Sequence, residues 1–332
     1  MVATIRVTQL DGKLPNLALM RLAAWHREQG DNVYWQRGTQ RGLHEPDYDI
    51  VYGSAIFTTS AKAVALFRSQ FPHALIGGWG GDRQLRVEDI VPSQFTLADY
   101  SGFTDFTASL GYTMRGCRFK CGFCMVPKME GRARSEGPIS AIWRGEGHPK
   151  HIHLLDNDFF GNPVWRDRVD EIEAGGFRVC INQGINVRLL DDDAAAAIVR
   201  IAPYGTDFKH RRLYTAWDNI GDEQVFFDGV DRLERAGWPA HRIMAYMLVG
   251  YDPRETWERI FHRFDRMVER RIEPYVMVFG GDERRPASPE YPKLKRFQRW
   301  SRPVVRRVVP DFRDYDTRRD PVKKPDLFET AA

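Results

Sequence analysis

Cysteine is scarce in this sequence, with four among 332 residues, so the chain has no disulfide framework of the kind that holds small secreted domains together. Long apolar runs are also missing, because no stretch approaches the roughly 20 residues of a membrane-spanning helix. Net charge is low, at +4. Residues 1–7 predict a strand and not a signal peptide, so we expect a cytoplasmic protein. A hydrophobic content of 42% is enough for one large or two ordinary domains.

The cysteines are unevenly distributed. Three of the four, Cys117, Cys121 and Cys124, lie within eight residues as C-x3-C-x2-C. Thiolates are soft ligands, and three on a short loop converge on one metal centre. A structural zinc usually has four protein ligands, whereas an iron–sulfur cluster held by three thiolates keeps one iron open. The pattern favours the open cluster. The alternatives are a chance group of core cysteines and a zinc site completed by a histidine, for which the candidates are His148, His151 and His153.

The residues beside the cysteines suit a loop that wraps a cluster. Gly116 and Gly122 permit turns and a close approach of the backbone. Phe119 and Phe123 are placed to shield iron from solvent. The segment therefore has the local composition of a cluster-binding loop as well as its ligands.

At this loop the chain resembles the radical S-adenosylmethionine enzymes, whose signature is C-x3-C-x-aromatic-C. Cys117, Cys121, Phe123 and Cys124 match it position for position. The resemblance implies a 4Fe-4S cluster on the three cysteines, with S-adenosylmethionine bound at the open iron beside Phe123. It implies reductive cleavage of that cofactor and hydrogen abstraction from a substrate that the sequence does not identify. It also implies an external electron donor of the flavodoxin or ferredoxin type.

Alternating strands and helices predict a partial (β/α)6 TIM-type barrel over residues 110–280. Its strands are predicted at 110–114, 151–155, 177–181, 212–216, 243–249 and 274–279. The active face of such a fold lies at the carboxyl ends of the strands, so the polar residues that follow them should collect there. These residues are Asp156, Asp158, Asn182, Gln183, Asp218, Asn219 and Asp252.

The resemblance also implies roles for some of these positions in cofactor binding. The polar stretch of Asp156, Asn157 and Asp158 would lie near the amino group of the methionine moiety. Asn182 and Gln183 would lie near the ribose or the carboxylate. The segment 246–252, in which the predicted strand ends at Gly250, would cradle the adenine through its backbone. For each polar position the alternative is a helix cap or a turn residue.

Two further residues have both a structural and a functional interpretation. Cys180, in the third predicted strand, suits a small buried apolar residue, and the alternatives are a hydrogen-atom donor or a ligand. Trp217 is placed either to stack on a substrate or cofactor ring or to pack in the core.

Residues 1–85 predict a small doubly wound, Rossmann-like parallel sheet, and residues 86–109 a linker. The first part resembles the cobalamin-binding domain that precedes the radical domain in one branch of the family. Its glycine-rich stretch 77–81 matches the loop beside the cofactor's nucleotide tail, but the cobalt-ligating D-x-H-x-x-G pattern is absent. Either cobalamin binds without that histidine, or the domain serves packing or substrate contact. With cobalamin we expect methylation of an unactivated carbon, and without it a rearrangement or an oxidation.

Residues 281–332 form a basic C-terminal extension in which aromatic residues are interleaved. The aromatic residues are Tyr291, Phe297, Trp300, Phe312 and Tyr315. Such a composition can bind nucleic acid, which would suit a non-enzymatic, metal-stabilised binding protein. Nearby aspartates offset much of the charge, so the composition favours a solvated, salt-bridged tail. The extension contains no cysteine, which limits the protein to one cluster.

Overall fold

The computed structural model describes residues 2–282 and 285–315. The chain forms two compact units, one made of residues 1–110 and 144–149 and the other of residues 111–143 and the chain from 150 onward. The protein is a mixed α/β protein with parallel sheets, as predicted. Among the described helices, none has the length and apolar character needed to cross a bilayer.

The first unit is built on a four-stranded sheet with the order β2-β1-β3-β4, in which every neighbouring pair is parallel. Its elements are β1 (Thr4–Gln9), α1 (Leu17–Glu28), β2 (Asn32–Trp35), β3 (Ile50–Ser54), α2 (Ala61–Gln70) and β4 (Leu75–Gly77). Parallel neighbours require crossover connections, and the helices supply two of them. The predicted small parallel sheet is therefore confirmed.

Residues 86–109, predicted as a linker, belong to the first unit. Val91 is fully buried in the core that β1 and α1 share. Phe95 packs edge-to-face on Trp25 of α1, with ring centroids 5.2 Å apart. The segment lacks regular periodicity but contributes apolar side chains to the core, so its composition resembles that of a linker while its packing does not.

The second unit contains two three-stranded sheets, with the orders β5-β8-β9 and β10-β11-β12. Its strands are β5 (Ser109–Gly111, at the division between the units), β6 (Met114–Arg115), β7 (Arg134–Ser135), β8 (His151–Leu154), β9 (Arg178–Ile181), β10 (Leu213–Ala216), β11 (Ile243–Val249) and β12 (Glu273–Val278). Its helices are α3 (Val126–Met129), α4 (Ile139–Ile142), α5 (Trp165–Gly175), α6 (Asp192–Ile201), α7 (Glu223–Ala236), α8 (Trp257–Glu269), α9 (Tyr291–Trp300) and α10 (Pro303–Val308).

The strands of this unit lie close to the predicted ones, with two differences. The predicted strand 110–114 is divided into β5 and β6, and β6 pairs antiparallel with β7. Within the described residues β9 and β10 do not pair as neighbouring strands. One hydrogen bond links the segments that contain them, because the amide of Ile185 donates to the carbonyl oxygen of Tyr214 at 2.8 Å. The structure therefore shows two separate three-stranded sheets, in which the pairs β8-β9, β10-β11 and β11-β12 are parallel.

Helices cover one face of these sheets and form the core of the second unit with them. Along β11 the alternate residues Ile243, Ala245, Met247 and Val249 are fully buried in this core. The described part of the basic extension joins it, because α9 and α10 bury Phe297, Trp300 and Val305 among the same side chains. Its residues 283–284 and 316–332, which include Arg284, lie outside the described residues.

Candidate functional site

A cavity of about 600 Å³ opens in the second unit at the carboxyl ends of β9, β10 and β11. Such a volume is typical of small-molecule sites. The loop that carries the three clustered cysteines forms one wall, and the residues after the strands form the others. Of the predicted polar positions, the cavity is lined by Gln183, Asp218, Asn219 and Asp252.

All three clustered cysteines line this cavity and are partly buried. The amide of Phe119 donates to the sulfur of Cys117 at 3.4 Å, and the amides of Met125 and Val126 donate to Cys124. Hydrogen bonds of this kind stabilise a thiolate and tune a bound metal centre. The cysteine loop therefore offers three soft donors and an amide environment that suits them.

Burial raises the pKa of Cys117 to about 11 and also raises the pKa of Cys124, so the thiols are protonated at neutral pH unless a metal replaces the proton. Within the described ranges, no three His, Cys, Asp or Glu side chains stand in a ready-made metal-binding arrangement. The sulfur donors fit an iron–sulfur cluster by chemistry and by location. Binding would have to draw them together and release protons.

Two glycines of the cysteine loop are required by its conformation. Gly116 has φ +79°, and a Cβ there would collide with the carbonyl oxygen of Arg132. A Cβ on Gly122 would lie 2.8 Å from the hydroxyl oxygen of Tyr251. The loop thus packs its backbone against the residue that follows β11, and larger side chains would separate them.

An ion pair fixes the cysteine loop to the end of β8. The guanidinium of Arg118 donates to both carboxylate oxygens of Asp158, at 2.8 and 2.9 Å, and the Arg118 amide donates to the same carboxylate at 3.1 Å. Asp158 is buried, so its charge depends on this partner. The sequence predicted Asp158 as a polar residue after a strand but gave no signal for Arg118.

Asp156 does not line the cavity. Its carboxylate is fully buried and accepts from the Thr113 amide at 2.8 Å, the Thr113 hydroxyl, and the Met114 amide at 3.3 Å. Burial raises the pKa of Asp156 to about 7. The carboxyl group therefore satisfies the backbone where the chain enters β6, and the neighbouring Asn157 lines the cavity instead.

Of the predicted pair Asn182 and Gln183, only Gln183 lines the cavity. Gln183 is also exposed. Asn182 accepts from the hydroxyl of Tyr246 through its carbonyl oxygen at 2.6 Å, while its side-chain oxygen is buried and has no hydrogen-bond partner among the described residues. The hydroxyl of Thr215, which does line the cavity, is likewise buried without a partner in the described part of the chain. Buried unsatisfied polar atoms beside a cavity suit a ligand.

Gly250 shapes the turn after β11 without lining the cavity. Its φ is +80°, and its amide donates to Glu255 at 2.7 Å. Glu255 also accepts from the buried guanidinium of Arg263, which donates to the carbonyl oxygens of Trp217 and Leu248 at 3.0 Å. Arg263 therefore ties the ends of β10 and β11 together, and the sequence did not predict this role.

Aromatic rings and guanidinium groups cover the phenylalanines of the cysteine loop. Tyr251 packs edge-to-face on Phe123, with ring centroids 5.6 Å apart. The guanidinium of Arg285 lies over the ring of Tyr251, 4.7 Å from its centroid. Arg188 lies 5.1 Å from the centroid of Phe119. These contacts make Arg188 and Arg285 parts of the site that sequence patterns missed, because each follows a different strand. Tyr251 belongs to the segment 246–252 predicted at the site, and its side chain contacts Phe123.

Cys180 and Trp217 lie in the interior. Cys180 is fully buried away from the cavity lining, and burial raises the pKa of its thiol to about 12. Trp217 stacks on Phe226 with centroids 5.3 Å apart in the core of the second unit. Their surroundings match the packing interpretation of each residue.

The histidines considered as a fourth zinc ligand do not join the cysteines in the second unit. His151 stacks on Phe208 at 4.7 Å between centroids, and His153 is buried against the same ring at 4.8 Å. Burial lowers the pKa of His153 to about 4. Neither residue is among the described residues that line the cavity, and His148 lies in the first unit.

The glycine-rich stretch of the first unit packs against its own backbone. A Cβ on Gly78 or Gly80 would collide with the carbonyl oxygens of Ala55 and Phe57 respectively. The Phe57 amide, just beyond the end of β3, donates to the carboxylate of Asp11 at 2.8 Å. These glycines are therefore required by the packing of the loop, and the Phe57 amide already has a partner.

Comparisons with protein-family models, curated proteins and solved structures found no match to this chain.

Proposed function

We propose that the protein is a radical S-adenosylmethionine enzyme that holds one 4Fe-4S cluster on Cys117, Cys121 and Cys124, in a second unit that is a partial (β/α)6 barrel. The observation that carries this proposal is that the three cysteines of the signature line one cavity at the carboxyl ends of parallel strands. The fourth cysteine, Cys180, is buried elsewhere. Bound there, the cluster and S-adenosylmethionine would supply reductive cleavage of the cofactor and a radical that abstracts hydrogen.

The protein's own contribution is to place the reactants and exclude water. Arg118 and Asp158 hold the cysteine loop at the end of β8, and Tyr251 and Phe123 close one side of it with apolar surface. The unsatisfied oxygen of Thr215 is an acceptor for a hydroxyl or amino group of a bound molecule. An external electron donor of the flavodoxin or ferredoxin type would supply the electron.

Hydrogen abstraction leading to a rearrangement or an oxidation suits the structure better than cobalamin-dependent methylation. The loop 77–81 and the amide of Phe57 serve packing within the first unit, and the cobalt-ligating histidine pattern is absent. A nucleic-acid-binding protein is also less well supported. Phe297, Trp300 and Phe312 are buried, so these rings are not available to stack on bases.

The test is anaerobic reconstitution with iron and sulfide, followed by absorption and electron paramagnetic resonance spectra before and after dithionite. The wild-type protein should bind about four irons, as one 4Fe-4S cluster requires. Its reduced resonance should shift when S-adenosylmethionine is added, and 5′-deoxyadenosine should form. The triple variant Cys117→Ala, Cys121→Ala, Cys124→Ala should lose all three signals.

The matched control is Cys180→Ala, which removes the remaining cysteine without touching the cavity. It should retain the cluster and the product. A colourless wild-type protein that binds zinc, or a reducible cluster that persists in the triple variant, would contradict the proposal.

A further inference from the structure

The lining of the cavity is rich in guanidinium groups. The cavity is lined by Arg188, Arg254, Arg259 and Arg285. Two of them are neutralised by carboxylates in the same lining: Arg188 pairs with Asp222 at 2.6 Å, and Arg254 pairs with Asp252 at 3.3 Å. The remaining two are Arg259 on α8 and Arg285 after β12, and their partners are of a different kind.

Arg259 and Arg285 are held by carbonyl oxygens and not by carboxylates. Arg259 donates to the carbonyl oxygen of Arg254 at 3.2 Å, and Arg285 donates to that of Tyr251. Among the described residues, no carboxylate forms an ion pair with either guanidinium. A guanidinium has five N–H donors, so each keeps donors for a ligand. Both residues line the cavity, and their anchors belong to the one short turn 251–254.

The other acidic groups of this lining have partners of their own. Glu255 pairs with Arg263, and Asp218 accepts from the Leu248 amide at 2.8 Å. The amino-terminal end of α8 is directed to the same turn, since Arg259 lies in its first turn and also lines the cavity. The positive end of the helix dipole adds to the field of the two guanidinium groups. Three independent features therefore favour a negative ligand here.

We propose that Arg259 and Arg285 bind an anionic group, a carboxylate or a phosphate, of the second substrate, the molecule that loses hydrogen. The assignment to that substrate rests on the proposed function, in which the carboxylate of S-adenosylmethionine would bind at the open iron. Guanidinium groups bind carboxylate and phosphate in a bidentate manner, which fixes orientation as well as affinity. The pair would hold the substrate beside Tyr251, the ring that contacts both Arg285 and Phe123.

The experiment measures binding of inorganic phosphate to the reconstituted, oxidised protein by broadening of its phosphorus-31 resonance, with acetate as competitor. Arg259→Gln and Arg285→Gln should each weaken phosphate binding about tenfold or more, because each removes a charge-assisted contact. Arg285→Lys should recover part of the loss, because it retains the charge without the fork. Arg299→Gln, which changes an exposed arginine of α9 outside the cavity, should leave binding unchanged.

Equal phosphate binding in wild type and both glutamine variants would overturn the site. An equal loss in Arg299→Gln would show binding of an adventitious ion only. Adding saturating S-adenosylmethionine separates the two sources of an anion: phosphate that stays bound supports a substrate site, whereas displaced phosphate assigns the arginines to the cofactor carboxylate. The triple cysteine variant should still bind phosphate through the arginines, so failure of the cluster proposal and failure of the anion site are distinguishable.

Discussion

The buried carboxyl group of Asp156 should make the stability of the second unit depend on pH in an unusual direction. Burial raises the pKa of Asp156 from its ordinary value of 3.8 to about 7. The folded state then keeps a proton that the unfolded chain has lost between these two values. The contribution of this carboxyl group to stability should therefore fall as pH rises from about 4 to about 7 and then level off.

The size of the effect follows from the difference between the two pKa values. Each pH unit in this interval changes the free energy of unfolding by about 1.4 kcal/mol, so the whole interval is worth up to about 4 kcal/mol. Asp156→Asn replaces the carboxyl with a neutral group that can still accept from the Thr113 and Met114 amides. Relative to wild type, the variant should gain up to about 4 kcal/mol between pH 4 and pH 8.

A suitable assay is urea unfolding of the metal-free protein, followed by alkylation of Cys180. This thiol is fully buried in the second unit, so its labelling, normalised at each pH to the unfolded chain, reports the opening of that unit. Asp228→Asn, which changes an exposed aspartate of α7, is the control and should track wild type. If the difference between Asp156→Asn and wild type is the same at pH 5 and pH 8, the reasoning fails, because the carboxyl is then ionised throughout.

The same assay tests two further predictions. The pKa of His153, lowered by burial from 6.5 to about 4, has the opposite consequence. Its contribution to stability should fall by up to about 3 kcal/mol as pH falls from 6.5 to 4, which opposes the contribution of Asp156 in wild type. His153→Gln should therefore gain up to about 3 kcal/mol relative to wild type over this range, and a difference between the two that does not change with pH would contradict the placement. Gly131→Ala should cost about 1–2 kcal/mol, because its φ is +76° but a Cβ there meets nothing within 4 Å. Gly116→Ala should cost clearly more and reduce iron binding, because its Cβ meets the backbone of Arg132; equal costs for the two variants would refute the collision.

Local patterns predicted the elements whose packing is local. The strand Ile243–Val249 has the predicted bounds, because alternation is a property of neighbouring residues. The described part of the basic extension was harder to predict, since its charge hides an apolar spacing. Leu294, Phe297 and Trp300 recur every three residues and form the buried stripe of α9. That spacing was the available signal for a core helix.

The sequence identified the cysteine loop because its ligands are neighbours in the chain. It could not identify Arg263, Arg188 or Arg285, which follow or pack behind different strands and acquire roles only when parallel pairing brings the strand ends together. The composition of the sequence around these residues does not predict their contacts. Their residue type is common, so only the topology distinguishes them from other arginines.

Polarity after a strand shows that a group needs a partner but does not say which. Asp156 and Gln183 both follow strands, yet the first is satisfied by backbone amides and only the second lines the cavity. A carboxylate bound by its own chain and one bound by a ligand have the same sequence signature. What distinguishes a ligand surface is therefore the hydrogen-bonding capacity left over after folding. By that criterion the oxygen of Thr215 and the guanidinium groups of Arg259 and Arg285 mark the binding surface more strongly than the polar residues as a class.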